Sequence, residues 1–128
     1  MAGRVNNRFP VLVLAARTVT LNSDVFGSVE ARGLVLLLDI DTVTGTLPTL
    51  DIKVQAEITP GGDFFDINGA SFAQKIDAGQ DALRIFPGLT ELANKKISDV
   101  MPSRWRVVAT IGGTTPSFTF GLYAESVL

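Results

Sequence analysis

The chain has 128 residues, 46% of them hydrophobic and 19% charged, with 11 basic against 13 acidic side chains and neither cysteine nor histidine. A domain of this size buries roughly two-thirds of the surface its unfolded chain exposes, so it needs no metal or disulfide to hold a core. The missing residue types remove disulfides, thiolate nucleophiles, zinc fingers, imidazole general bases and the Ser-His-Asp arrangement, and a net charge of −2 argues against a general nucleic-acid binder.

That charge is unevenly placed. Arg4, Arg8 and Arg17 are the only charged side chains before Asp24, so the first 23 residues carry +3 and the remaining 105 carry −5. Residues 1–8, which include Arg4, Asn6, Asn7 and Arg8, are polar with no periodic apolar face. They read as an N-terminal arm, either frayed or ordered on an acidic neighbouring subunit. Residues 9–128 read as one domain, with no internal repeat or low-complexity linker. Residues 11–16 are continuously apolar, but six residues fall short of a signal-peptide core and of a membrane span. A strand is expected there, in a soluble protein made in a cytoplasm with no membrane partner.

Glycine and proline then punctuate the chain at Gly27, Gly33, Gly45, Pro48, Pro60, Gly69, Gly79, Pro87, Pro102, Gly112 and Pro116. Short period-two segments lie between them, which predicts an all-β fold: an antiparallel, jelly-roll-like β-sandwich of about eight strands with an extended N-terminal arm. Residues 34–38 are apolar on both parities, as in a central strand covered on both sides or one with a face against another chain. A turn over residues 44–48 is expected to pair this strand with the next. There Leu50, Ile52, Val54, Ala56 and Ile58 alternate with Asp51, Lys53, Gln55 and Glu57, one apolar face and one charged. Phe64 to Ile67 followed by Asn68-Gly69 predicts a tight hairpin, with further short strands over residues 71–76 and 82–86. Leu89, Leu92, Ala93, Ile97 and Val100 sit at helical spacing and predict one or two helical turns or a crossover loop. Trp105, Val107, Ala109 and Ile111, then Phe118, Phe120, Leu122 and Ala124, form two alternating runs joined by residues 112–116, expected as a C-terminal hairpin with Trp105 in the core.

Tests for chemistry give little. Gly69-Ala70-Ser71-Phe72-Ala73 resembles a degraded nucleophile elbow, but no histidine exists to activate Ser71. Asp39 with Asp41, Asp63 with Asp66, and Asp77 with Asp81 lack the spacing of a calcium loop. A carboxylate pair for glycoside hydrolysis cannot be read from spacing alone. No enzyme activity, metal or cofactor is expected. A glycan-binding sandwich would rest on Tyr123 and on Phe65 or Phe86, a thin aromatic platform. What remains is contact surface. Val35 and Leu37 on the second parity of their strand, and Val108 on the polar face of its own, give an apolar surplus at a mean hydropathy of +0.32. A covered central strand or a homo-oligomer accounts for it equally well.

Residues 31–39 (Ala-Arg-Gly-Leu-Val-Leu-Leu-Leu-Asp), residues 84–89 (Arg-Ile-Phe-Pro-Gly-Leu) and residues 98–107 (Ser-Asp-Val-Met-Pro-Ser-Arg-Trp-Arg-Val) follow one another in order. Together they resemble a family of small virion proteins of tailed bacteriophages associated with head decoration (cement). The resemblance spans about residues 31–128 and omits the arm. It implies a virion protein on the head exterior that binds the major capsid protein and itself, as a trimer or a dimer. Arg4, Asn6, Asn7 and Arg8 would then reach the capsid or a neighbouring subunit, and Val35, Leu37 and Val108 would mark the oligomer face. A tail or neck subunit is the rival within the virion, and a glycan-binding module the rival outside it.

Overall fold

In a computed structural model, residues 7–27, 32–60, 62–99 and 102–127 are described. Among them the chain is all-β and has no helix. Eight strands form a single sheet: β1 (Asn7–Arg17), β2 (Leu21–Asn22), β3 (Phe26–Gly27), β4 (Gly33–Glu57), β5 (Phe64–Ser71), β6 (Gly79–Ile85), β7 (Lys96–Ile97) and β8 (Arg104–Val127).

The frame is the pair β4–β8, two strands of 25 and 24 residues in antiparallel register from Gly33↔Val127 to Ala56↔Trp105. On the outer side of β8 lie β1, β2 and β3, from Asn7↔Ser126 to Gly27↔Arg104. On the outer side of β4 lie β5, opposite residues 53–57, and β6, opposite residues 34–40. The sheet is mixed rather than purely antiparallel, because residues 86–95 return the chain so that β7 runs parallel to β6. A parallel neighbour requires such a crossover, whereas an antiparallel one needs only a turn.

Two expected turns are bends instead. Residues 44–48 and 112–116 do not fold their flanking runs into hairpins; each run continues as one strand, and β4 and β8 bend together. The bend is built from a motif that occurs twice, Gly45-Thr46-Leu47-Pro48 and Gly113-Thr114-Thr115-Pro116, with Thr46 paired to Thr114. In both copies the glycine has positive φ (112° and 113°), as does the residue before proline (Leu47 at 50°, Thr115 at 45°). A Cβ on Gly113 would lie 2.7 Å from the Leu47 carbonyl oxygen, and one on Gly45 would lie 2.7 Å from that of Thr115. Each glycine thus admits the other strand's backbone, a close approach that no other residue permits. The chain therefore holds a short internal repeat that the sequence reading overlooked.

The bend doubles the sheet over on itself. Phe9 pairs with Ala124 and Phe26 with Trp105, positions separated by nineteen residues of β8, or roughly 60 Å of straight strand. Yet the Phe9 ring lies 6.3 Å from Trp105 and 5.3 Å from Phe26. The inward faces of the two halves meet in one core: Leu34, Leu36, Leu38 and Ile40 from one arm of β4, Leu50, Ile52, Val54 and Ala56 from the other. Trp105, Val107, Ala109, Phe118, Phe120, Leu122 and Ala124 from β8 complete it. The alternation read from sequence is borne out on these strands, and Trp105 is fully buried. Ile58 is an exception, lying past the end of β4 and 59% exposed.

One further expectation is corrected, and an open one is decided. Asn68-Gly69 does not turn a hairpin; it forms a bulge inside β5, where residues 66–71 stand against only residues 53–55 of β4 and Gly69 takes a φ of 77°. The stripe from Leu89 to Ile97 takes the second of its two expected forms, a crossover loop leading into β7, and is not helical. Leu92 and Lys96 exchange backbone hydrogen bonds around Asn94 at a φ of 63°, leaving Leu92 57% exposed while Ile97 enters the core from β7. The asparagine in left-handed conformation stops a helix and makes a tight turn. Val100 lies outside the described residues.

The paired bend gives a stability prediction. Gly113→Ala must meet the Leu47 carbonyl in a backbone region hostile to L residues, and should lose about 2–3 kcal/mol in a urea titration. Gly88→Ala, also at positive φ (89°) but with open space around its Cβ, should lose only about 1 kcal/mol. Equal losses would show that the close approach at the bend carries no special cost.

Candidate functional site

The two outward faces of the doubled sheet differ in chemistry. On the half formed by residues 49–57 and 104–112, the outward side chains are zipped by cross-strand polar pairs. The Arg104 Nε donates to Glu57 Oε1 at 2.7 Å, and the Arg106 Nε to Gln55 Oε1 at 2.9 Å, with the Arg106 guanidinium 3.6 Å over the Phe64 ring. Asp66 accepts from both Lys53 and Gln55, and Asp51 from Gln74. The hydrogen bonds of Gln55 and then Lys53 hold the Asp66 carboxyl below its usual range. Val108 sits on this face, half-buried beside Lys53.

The other half presents three rows across the strand order β6, β4, β8, β1. Residues directly paired across a sheet project to the same side, so register assigns each row. Arg84, Val35, Glu125 and Arg8 form the first, Ala82, Leu37, Tyr123 and Pro10 the second, and Gln80, Asp39 and Gly121 the third. The middle row is an uninterrupted apolar band on the outward surface. Val35, Leu37, Ala82 and Tyr123 are half-buried, while Pro10, Arg8, Arg84, Asp39 and Gln80 are exposed. A shallow depression of about 300 Å³ lies beside Leu37 and Tyr123, walled by Asp39 and Gln80.

The sequence-predicted residues are thus only partly brought together. Val35 and Leu37 share one face, whereas Val108 belongs to the other half. Arg4 and Asn6 lie outside the described residues. Asn7 and Arg8 belong to β1 rather than to an arm, paired with Ser126 and Glu125, and the Arg8 guanidinium is 3.5 Å from the Glu125 carboxylate. Ala82, Tyr123 and Pro10 were missed as members of the band. The parity of Tyr123 among Ser117, Thr119 and Gly121 did mark it as outward, but the neighbours that make it a band come from three other strands. Of the candidate glycan-stacking rings, Phe65 is 53% exposed and borders a depression with Asp66, Asn68 and Asp99. Tyr123 is packed down over Gly121, where a Cβ would lie 2.9 Å from its hydroxyl.

One charged cluster was also missed. Asp81 projects to the same side as Leu38 and is nearly enclosed, with its side chain 6% exposed. Its carboxylate accepts from Lys75 Nζ and Lys95 Nζ, each at 2.5 Å, and from the Ala82 N–H. Lys75 bridges to Leu50 of the opposite half of the sheet, so the cluster joins the two halves at the β5–β6 side of the core. Among the described residues, no three His, Cys, Asp or Glu side chains converge to hold a metal. Asn94 donates to the Ser71 carbonyl and lies 3.3 Å from its hydroxyl.

No family model, curated protein or solved structure matches this chain.

Burial alone would raise the Asp81 pKa, but the hydrogen bonds from Lys75, Lys95 and Ala82 outweigh it and hold the carboxyl below its usual range. A carboxyl depressed in the folded state adds stability above its unfolded pKa, and that stability is lost as pH falls through the folded value. Asp81→Asn should therefore be less stable than the parent at neutral pH. The gap should narrow below about pH 4, as thermal melts across pH 2–7 would show; a gap independent of pH would refute this role for the ionised carboxylate.

Proposed function

We propose that this chain is a bacteriophage head-decoration protein, a non-catalytic module that binds the major capsid protein and its own copies on the virion exterior. The observation that carries the reading is the contrast between the two outward faces. One is finished with polar pairs suited to water, while the other exposes an apolar band, Ala82, Leu37, Tyr123 and Pro10, across four strands of a rigid sheet. A continuous outward apolar band of this kind marks a contact surface for another protein. The doubled sheet serves as a sandwich-like scaffold for that surface. The resemblance of residues 31–39, 84–89 and 98–107 to virion proteins supplies the class of partner.

Within this reading Arg4 supplies positive charge, and Asn6 a polar side chain, for contact with an acidic subunit. Many weak contacts repeated over a lattice give firm attachment. Co-sedimentation with purified phage heads is expected to show saturable binding at a fixed number of copies per capsid subunit. Deleting residues 2–6, which leaves β1 intact, should weaken that binding about tenfold, or about 1.4 kcal/mol per site. No binding to heads, with binding to tails or to a glycan array instead, would overturn the proposal in favour of a tail subunit or a glycan-binding module.

A further inference from the structure

The outward face of β6, β4, β8 and β1 carries charges that its own copy does not balance. Glu125 is offset by Arg8. Arg84 makes no side-chain ion pair among the described residues, and Asp39 is met only by the amide of Gln80, at 3.4 Å. Arg84 lies level with Val35 and Asp39 four residues further along β4, a separation of roughly 13 Å, so the two cannot meet within one chain. The apolar band runs between them.

The geometry points to a second copy of this chain as the occupant of the face, packed sheet to sheet about a two-fold axis that runs across the strands. That axis lays the band of Ala82, Leu37, Tyr123 and Pro10 on its own counterpart and places the Arg84 row over the third row of the second copy. Arg84 then stands above Gln80 and one strand from Asp39, which itself lies under Val35, while Glu125 lies over Gly121 and flanks Asp39 on the other side with its own charge offset by Arg8. Both unbalanced charges are satisfied twice in one symmetric contact, as an isologous interface requires. A three-fold arrangement offers no such exchange between the first and third rows.

Edge-to-edge pairing through β1 is blunted. Along β1, Pro10 lacks an N–H, the register slips on both sides of Leu12, and the Arg17 guanidinium occupies the carbonyl oxygens of Val13 and Ala15. Such devices keep this edge strand from recruiting another. Four strands by three rows make a contact smaller than the roughly 800 Å² per partner of a stable complex. The dimer is therefore weak in free solution and gains strength where a lattice concentrates the chain. The inference rests on the self-association in the proposed function and names its surface and symmetry.

The test is sedimentation equilibrium of the full chain at low salt, from about 10 μM to about 500 μM, where a weak dimer declares itself. A monomer–dimer equilibrium is expected. Leu37→Asp and Arg84→Glu should each raise the dissociation constant about tenfold, and Arg84→Glu combined with Asp39→Arg should restore it to within about threefold of the parent. Circular dichroism confirms that each variant is folded; if Leu37→Asp is not, the charge swap alone decides. A chain monomeric throughout the range, or a double variant as weak as Arg84→Glu alone, overturns the inference. Head co-sedimentation is scored separately: a dimer that fails to bind heads removes the decoration reading and leaves this interface standing.

Discussion

Everything in the molecule hangs on the continuous pairing of β4 with β8 and on the single place where that ladder bends. Two Gly-Thr-x-Pro segments face each other there, each glycine accepting the backbone of the other strand at a distance no Cβ would permit. Prolines on both strands withdraw a donor from the ladder where its register slips, and the residue before each proline takes positive φ. Regular pairing resumes on either side. The bend therefore keeps the two arms of each strand in one sheet while turning their apolar faces toward one another.

Once the sheet is doubled, the rest follows from parity. Inward residues of both arms share one core around Trp105, Phe118 and Phe120, and outward residues divide into two separate surfaces. Polar cross-strand pairs cover one, with Glu57 and Arg104, Gln55 and Arg106, and Asp66 with Lys53. The other lacks such a zipper and holds its apolar band between an unbalanced arginine and an unbalanced aspartate. Asp81, clamped by Lys75 and Lys95, closes the side of the core where the halves would otherwise admit water. An enclosed carboxylate is tolerable there because two ammonium groups and a backbone N–H replace its hydration.

The functional reading follows from this division of surfaces. A chain without histidine or cysteine has a narrow chemical repertoire, and the outward feature on which the proposal rests is an apolar band across four strands. Position in the sheet, not the identity of any one residue, makes that face. Leu37 alone is an ordinary half-buried leucine; Leu37 between Ala82 and Tyr123, with Pro10 beyond, is part of a band.

The alternation of Leu50, Ile52, Val54 and Ala56 with Asp51, Lys53, Gln55 and Glu57 determined by itself which faces would be buried, because side chains in a strand alternate whatever the strand pairs with. The same holds for Trp105 to Ala109 and for Phe118 to Ala124. Sequence also determined that glycine and proline would interrupt these runs near residues 45 and 113, but not whether the interruption would be a hairpin or a bend. A glycine at positive φ serves either, and the choice was made by hydrogen bonds to a strand some seventy residues away. The gathering of Ala82, Leu37, Tyr123 and Pro10, and of Asp81 with Lys75 and Lys95, was likewise invisible along the chain. Cross-strand neighbours are set by register, and register is a property of the closed sheet, so only the tertiary structure could decide which outward side chains share a surface.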